Sequence, residues 1–239
     1  QIETHFDITV HHFICEEGFA MAARGNCYIC GKELSKAGVK KHLAVHQHNE
    51  PNAGEECVLL KIEGAYYKDY WLFLDVPLTA TLDSLDRFLR EIWLECCGHM
   101  SAFFGKDHQE IENRRKFSTF EQGEQFLHEY DFGDTTETII TVAGRTRREP
   151  QKAAVRLLAR NIPPLIPCSR CGAPAAYVST DNYIYKHKEP FLCKACARES
   201  EIEEFSLPVT NSPRIGICGY CGDLDVYAFD AEKFVRREE

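Results

Sequence analysis

Four Cys-x-x-Cys pairs constrain this chain more than any other feature of its sequence. The pairs are Cys27/Cys30, Cys168/Cys171, Cys193/Cys196 and Cys218/Cys221. Two thiolates separated by two residues chelate one ion from a tight turn. A glycine directly after the second cysteine, present in three of the four pairs, helps that turn form. A disulfide framework does not need this spacing, and a redox Cys-x-x-Cys pair usually occurs singly, so the pattern predicts metal binding.

The bulk composition is that of a globular protein, with 44% hydrophobic and 27% charged residues. The longest apolar run, from Tyr70 to Leu78, is interrupted by Asp75 and Pro77 and is shorter than the roughly 18 residues that cross a bilayer. Since no secretion signal is visible either, we expect a soluble, cytoplasmic protein with no membrane partner. The net charge of −9 argues against a surface that binds nucleic acid as a whole, because phosphate repels an acidic protein.

A zinc finger is predicted near the N-terminus by the pattern C-x2-C-x11-H-x3-H. Its expected ligands are Cys27, Cys30, His42 and His46. Two histidines four residues apart lie on one face of a helix, so both imidazoles reach an ion held by the cysteine turn. His48 is an alternative to His46, and the sequence leaves that choice open.

As a reader of DNA this finger is expected to be poor. Leu34 and Val39 supply a small apolar core, but the helix positions that usually contact bases are Ser35, Gly38 and Lys41. Glycine has no side chain, and serine discriminates weakly between bases. We therefore expect structural packing or a protein contact from the finger, with phosphate contacts through its lysines as the alternative.

The centre of the chain predicts one helix packed against an antiparallel sheet, which is an α+β fold. Strand patterns run over 57–63, 70–76 and 100–104, and a helical pattern with apolar residues at three- and four-residue spacing runs over 81–93. A hairpin is predicted from 126 to 142, with its turn at Gly133-Asp134. A further helix is predicted over 147–162, where Pro163-Pro164 would stop it.

Two strings within residues 56–145, Leu82-Asp-Ser-Leu85 and Tyr130-Asp-Phe-Gly-Asp-Thr-Thr-Glu137, resemble the plasmid pRiA4b ORF-three-like family. The resemblance implies a small α+β domain and a link to mobile elements, and it brings no catalytic residues. Many members have a tryptophan shortly after the Tyr-Asp-Phe-Gly-Asp string, where Thr136 stands here. Leu158–Asn161 and Leu207–Tyr220 resemble the C-terminal extension of one subgroup.

The C-terminal cysteines predict a zinc ribbon. Its expected ligands are Cys168, Cys171, Cys193 and Cys196, and strand patterns at 176–179 and 183–186 lie between the two pairs. A site of four thiolates leaves no position for water and is therefore structural. Spacing alone does not decide whether Cys218/Cys221 replaces Cys193/Cys196 or takes part in another site.

The remaining reactive side chains are interpreted as structural. Asp131 and Asp134 are typical of turn residues that bond their own backbone, although with His128 they offer an alternative enzymatic constellation. The unpaired cysteines, which are Cys15, Cys57, Cys96 and Cys97, are interpreted as buried thiols, because adjacent cysteines do not easily bind one ion together.

These patterns predict three segments: a strand and finger over 1–50, the α+β domain over 55–145, and a helix with the ribbon over 146–239. We expect about two zinc ions per chain and a non-enzymatic binding or adaptor module with a protein partner. The alternatives are weak, sequence-independent binding of nucleic acid and an uncharacterised enzyme. The nucleic-acid alternative depends on two basic segments, one near Lys36, Lys40 and Lys41 and one from Arg145 to Arg160. A helix would place the basic side chains of the second segment near one face.

Overall fold

A computed structural model describes residues 23–47, 54–180, 190–200, 206–222 and 227–234. The fold is α+β, with a large antiparallel sheet and few helices. The chain forms two compact units. The larger unit comprises Ala22–Pro164, Thr210–Arg214 and Gly222–Glu239, and the smaller unit holds Leu165–Val209 and Ile215–Cys221. Among the described residues, no helix has the length and apolar character needed to cross a membrane.

The larger unit is organised by a nine-stranded antiparallel sheet in the order β2-β1-β9-β4-β3-β8-β7-β5-β6. Its strands are β1 (Arg24–Cys27), β2 (Glu33–Ser35), β3 (Glu55–Gly64), β4 (Trp71–Pro77), β5 (Ser101–Phe104), β6 (Glu110–Ile111), β7 (Gln125–Tyr130), β8 (Thr136–Arg148) and β9 (Arg156–Asn161). The strands predicted over 57–63, 70–76 and 100–104 and the predicted hairpin are confirmed as β3, β4, β5 and the β7–β8 pair.

The helices of the larger unit are α1 (Val39–Gln47) and α2 (Leu82–Leu89). Short 3-10 turns lie at Lys36–Gly38, Phe117–Thr119 and Ala231–Phe234. The predicted helix over 81–93 is confirmed as α2, but its last turn, Arg90–Leu94, is a π-helix. Such wider turns are rare and occur frequently at functional sites.

Every residue of β4 is buried, because both faces of this strand are covered. Successive side chains of a strand point to opposite faces. Leu72 and Leu74 join the main core with the apolar face of α2. Trp71 and Phe73 join a second core with Val39 and Leu43 of α1 and Leu59 of β3. The finger helix therefore packs on one face of the sheet.

The finger is also joined to the sheet through its backbone. β1 pairs with β2 on one side and with β9 on the other. Gly25 of β1 makes this pairing possible, because a Cβ atom there would lie 2.3 Å from the carbonyl oxygen of Arg160 and 2.4 Å from the Trp71 ring. The larger unit thus includes both the finger and the central strands, a division that differs from the three predicted segments.

The prediction of a helix over 147–162 is wrong. β8 continues to Arg148, and β9 begins at Arg156, where it lies between β4 and β1. The Asp75 carboxylate on β4 accepts hydrogen bonds from Arg148 (2.8 Å) and from Arg156 (2.8 Å), which fixes both arginines within the sheet. Pairing with distant strands therefore overrides a helical spacing of arginines that looked amphipathic.

In the part of the smaller unit that the structure describes, a three-stranded antiparallel sheet lies beside a short helix. These elements are β10 (Tyr177–Ser179), β11 (Phe191–Leu192), α3 (Lys194–Glu199) and β12 (Ser206–Pro208), with β10 in the middle of the sheet. The strand predicted over 176–179 is confirmed as β10, whereas the partner predicted over 183–186 lies outside the described residues, as do Cys15 and His48.

Candidate metal centres

The finger cluster consists of Cys27, Cys30, His42 and His46, whose ligand atoms all lie within 4.8 Å of one another. The β1–β2 turn presents both cysteines. Gly31 adopts a φ of +76° there and donates its N–H to the Cys27 carbonyl oxygen (2.8 Å). Helix α1 presents both histidines on one face, as the sequence predicts.

The separations between ligand atoms in the finger cluster match a tetrahedral ion. With Zn–S bonds of about 2.3 Å and Zn–N bonds of about 2.0 Å, ligand atoms lie about 3.3–3.8 Å apart. Cys27 Sγ lies 3.7 Å from His46 Nε2, Cys30 Sγ lies 3.4 Å from His42 Nε2, and the two Nε2 atoms are 3.1 Å apart. This geometry is compatible with one bound metal ion.

The protonation tendencies of the finger cluster follow from burial. Burial lowers the pKa of His42, with a further contribution from the neighbouring His46, and so favours the neutral imidazole that ligates metals. Burial raises the pKa of the Cys27 thiol, although the backbone N–H groups of Ile29 and Cys30 act to lower it. A metal cation would offset that increase, because the thiolate is the form of cysteine that binds metal.

The ribbon cluster brings together Cys168, Cys171, Cys193 and Cys196. Cys171 Sγ lies 3.7 Å from both Cys193 Sγ and Cys196 Sγ, again close to the edge of a tetrahedron around zinc. The first pair lies on a turn in which Gly172 adopts a φ of +73°. The second pair begins α3, where Cys193 is the N-cap and its sulfur accepts the Cys196 N–H.

One thiol of the ribbon cluster is poised as a thiolate. Burial acts to raise the pKa of Cys168, but backbone N–H groups, among them those of Cys193 and Cys171, outweigh it and lower the pKa to about 6. The pair Cys218/Cys221 is not part of this four-thiol cluster. Cys221 instead donates to the Gly219 carbonyl oxygen at 3.3 Å. The sequence left this choice open, and the structure assembles the first two pairs.

A third group of ligand atoms lies in the loop that follows the π-helix. The interpretation of Cys96 and Cys97 as buried thiols is wrong. Cys96 is half-buried, Cys97 is exposed, and their sulfurs lie 3.8 Å apart. His99 Nε2 lies 3.0 Å from Cys97 Sγ. Gly98, with a φ of +84°, turns the chain so that the three side chains converge.

The interpretation of Cys57 as a buried thiol is confirmed. Its side chain is fully buried on β3. Burial, together with the neighbouring Asp75 carboxylate, raises the pKa of this thiol to about 12. Cys57 is therefore protonated at neutral pH and does not offer the thiolate that a metal ion requires.

The Tyr-Asp-Phe-Gly-Asp segment has a structural arrangement. Asp131 adopts a φ of +65°, and its Oδ1 accepts the N–H groups of Gly133 (3.1 Å) and Asp134 (3.3 Å). Its Oδ2 accepts a hydrogen bond from Arg214 at 2.6 Å. Arg214 also donates to Thr136 Oγ1 at 3.0 Å, so Thr136 helps to hold a buried guanidinium.

His128 does not join these aspartates. It is fully buried on β7, and its Nε2 lies 2.8 Å from the Asp86 Oδ1 atom of α2. His128 and Asp131 therefore have different direct partners, which are Asp86 and Arg214. Sequence reasoning missed the partners Asp86 and Arg214, because both lie far along the chain from the motif.

Comparison with known proteins adds little to this geometry. No family model matches the chain, and no curated protein matches it. A crystal structure of a protein of unknown function from Methanosarcina mazei Go1 has 15% sequence identity and a TM-score of 0.36. The match covers 45% of this chain and 68% of that one. A similarity this distant supports no conclusion about fold or activity.

Proposed function

We propose that this chain is a non-enzymatic zinc protein in which the finger and ribbon clusters hold structural Zn²⁺ and the folded body acts as a binding or adaptor module. One observation carries the proposal: each cluster provides four ligand atoms within 4.8 Å of one another. Four protein ligands complete a tetrahedral zinc site and leave no position for a substrate. When bound, zinc would supply folding free energy rather than chemistry.

Zinc is the metal that these ligand sets fit. Two thiolates with two imidazoles, and four thiolates, are both typical of structural zinc. The resemblance to the plasmid pRiA4b ORF-three-like family extends the proposal to a role linked with mobile elements. The resemblance includes the string Tyr130–Glu137, in which Asp131 and Thr136 accept hydrogen bonds from Arg214.

The basic segment supports a protein partner over nucleic acid. Arg148 is fully buried and Arg156 pairs with the same Asp75 carboxylate. Arg160 donates to the carbonyl oxygen of Asn211 at 2.8 Å. The exposed Arg147 lies 2.6 Å from the Glu56 carboxylate. These contacts use guanidinium groups that phosphate contacts would require.

Elemental analysis of the full chain, purified under reducing conditions, tests the structural zinc. We expect a tightly bound ion at each cluster, with Cys30→Ser and Cys171→Ser each removing one ion and the double variant removing two. A matched control is Cys57→Ser, because this thiol lies outside every cluster, and it should remove none. Full metal content in the double variant would contradict the proposal.

The adaptor role is testable on the finger helix, whose Val45 side chain is 61% exposed. Exposed apolar side chains are the groups that protein interfaces bury. We expect Val45→Glu to lose a protein partner that co-purifies with the wild-type chain, while Ala44→Glu, an equally charged change at the neighbouring exposed position, retains it. Identical partners for both variants would place the binding surface elsewhere, and the absence of any partner would contradict the adaptor role.

A further inference from the structure

We infer that the loop Glu95–His99 is a third metal-binding site, with the thiolates of Cys96 and Cys97 and the imidazole of His99 as ligands. This site is independent of the finger and ribbon clusters, since it uses none of their residues. Its ligands are soft or borderline donors, which select Zn²⁺ or a similar thiophilic ion over Mg²⁺ or Ca²⁺.

The positions of the three donor atoms support this inference. The sulfurs of Cys96 and Cys97 lie 3.8 Å apart, which equals the edge of about 3.8 Å expected for two thiolates on one tetrahedral zinc ion. It is far longer than the bond of about 2.05 Å that joins a disulfide. His99 Nε2 lies 3.0 Å from Cys97 Sγ. All three donor atoms lie within 4.8 Å of one another, as they do in the other two clusters.

One arginine contacts both ends of the loop. Arg90 donates to the Glu95 carboxylate (2.8 Å) and to the His99 carbonyl oxygen (2.8 Å). Glu95 in turn accepts the Gly98 N–H at 2.6 Å and the Tyr130 hydroxyl at 3.1 Å. Preorganisation of this kind lowers the entropy cost of gathering ligands around an ion.

The surroundings supply the outer interactions that metal ligands use. Arg214, which is fully buried, places Nη2 3.5 Å from Cys96 Sγ and 2.6 Å from Asp131 Oδ2. A fixed positive charge beside a sulfur favours the thiolate and reduces the net charge of a bound thiolate pair. The ring of His99 contacts the edge of Tyr130, with centroids 5.8 Å apart, which orients the imidazole.

The buried Arg214 connects this loop to other parts of the larger unit. Ser212 donates to the Trp93 carbonyl oxygen at 2.6 Å and accepts the Arg214 N–H at 2.9 Å, so the 210–214 segment is fixed against the end of the π-helix. From there the guanidinium reaches both the Tyr130–Asp131 motif and the sulfur of Cys96. A metal ion bound by Cys96 would therefore be linked through Arg214 to the Tyr130–Asp131 motif.

Native mass spectrometry of the full chain, purified anaerobically with a reductant and loaded with Zn²⁺, tests the third site. We expect the double variant Cys97→Ser/His99→Asn to carry one ion fewer than the wild type, with Cys57→Ser as the thiol control that loses none. The variant Cys171→Ser should lose a different ion, so that the triple change loses two. This difference separates failure of the third site from failure of the ribbon site.

Co²⁺ substitution provides a second readout. We expect the wild type to show thiolate-to-cobalt absorption that decreases by one site's contribution in the double variant, while circular dichroism stays unchanged. If the double variant unfolds, the single variant Cys97→Ser, at an exposed position, gives the same comparison. Equal ion counts in wild type and variant, or a wild-type mass two hydrogens lower from a Cys96–Cys97 disulfide in place of the ion, would overturn the inference.

Discussion

The finger and ribbon clusters present similar ligand geometry, yet they differ in the apolar structure around them. The finger helix buries Val39 and Leu43 against Trp71 and Phe73 of the central sheet. Among the residues described in the smaller unit, the ribbon cysteines pack with Leu192 and Ala197, and a second small cluster contains Val178, Phe191 and Ile215. A finger supported by a large core can keep its fold without its ion, whereas a ribbon with a small core requires the ion to fold.

The largest expected effect is therefore the loss of the ribbon ion. Cys171→Ser should unfold the smaller unit, because structural zinc contributes about 10–16 kcal/mol of apparent binding free energy in isolated metal-dependent modules. The corresponding finger variant, Cys30→Ser, should leave α1 folded on the sheet. Limited proteolysis followed by mass mapping distinguishes the two outcomes.

Cys221→Ser is the control for the ribbon variant, because this thiol lies outside the four-thiol cluster. Equal protease resistance at 165–221 in the Cys171 and Cys221 variants would contradict the expectation that the smaller unit needs its ion to fold. Rapid cleavage at 39–47 in Cys30→Ser would contradict the expectation that the finger helix stays folded without its ion.

The larger unit should instead be sensitive to its buried charges. Asp75→Asn removes the carboxylate that Arg148 and Arg156 share, which leaves the fully buried Arg148 guanidinium without its nearest anion and with Glu55 at 3.4 Å. Breaking a buried pair in this way costs about 3–5 kcal/mol. Urea denaturation of the zinc-loaded chain, monitored by the two tryptophans, both in the larger unit, should show this loss. Glu56→Gln, at the exposed pair with Arg147, should cost about 0–1 kcal/mol.

Truncation of the finger core should cost somewhat less. Leu43 is 1% exposed, so Leu43→Ala removes methyl groups from the contact between α1 and the sheet, at a cost of about 2–5 kcal/mol. Val45→Ala, on the exposed side of the same helix, is the matched control. Hydrogen exchange of the α1 amides measures both changes. We expect Leu43→Ala to reduce protection more than Cys30→Ser does, and the reverse order would show that the ion supports the finger.

The smallest expected effect is that of acidification on the sheet, and it should occur at lower pH than the effect on the ribbon. Although burial acts to raise it, hydrogen bonds from His128 and Ser101 lower the pKa of Asp86 below its ordinary value. The stability that this carboxylate contributes is fully present above the unfolded value of about 3.9 and is lost as the pH falls through the lowered folded value. Protons compete with a bound ion for the ribbon thiolates, and thiols bind protons at higher pH than carboxyl groups do.

A pH titration should accordingly release the ribbon ion before the sheet loses stability. The Asp86→Asn variant should be less stable than the wild type at pH 7, and the difference should shrink below pH ~3.9. Asp83→Asn, at an exposed pair on the same helix, should show no such dependence. If the difference in free energy of unfolding between the Asp86 variant and the wild type stayed constant down to acidic pH, the lowered pKa of Asp86 would be contradicted.

The sequence predicted those parts of the molecule whose signals are local. Cys27 and Cys30, like His42 and His46, lie within one short segment, and a turn or a helix brings each pair together. The β7–β8 hairpin is likewise carried by adjacent residues. Asp75 and Arg148 are 73 positions apart, and no pattern in either segment shows that they pair. The spacing of the arginines fitted a helix equally well, which is why β9 was missed.

The third cluster was missed for a different reason. Two adjacent cysteines were considered without the residues that follow them, although Gly98 and His99 complete the string Cys-Cys-Gly-His. Glycine at a positive φ allows the turn, and the histidine supplies the third donor. The contribution of Arg214 to this loop is not predictable, since the two are 118 positions apart.

The close approach at Gly25 has a consequence for how this protein can vary between species. The carbonyl oxygen of Arg160 and the Trp71 ring occupy the space that any side chain at position 25 would need. Because the Arg160 oxygen belongs to the backbone, a smaller residue at position 71 would remove only one of the two obstacles, and position 25 should stay glycine. In a library of random variants, replacements of Gly25 should be depleted whether or not Trp71 is also replaced.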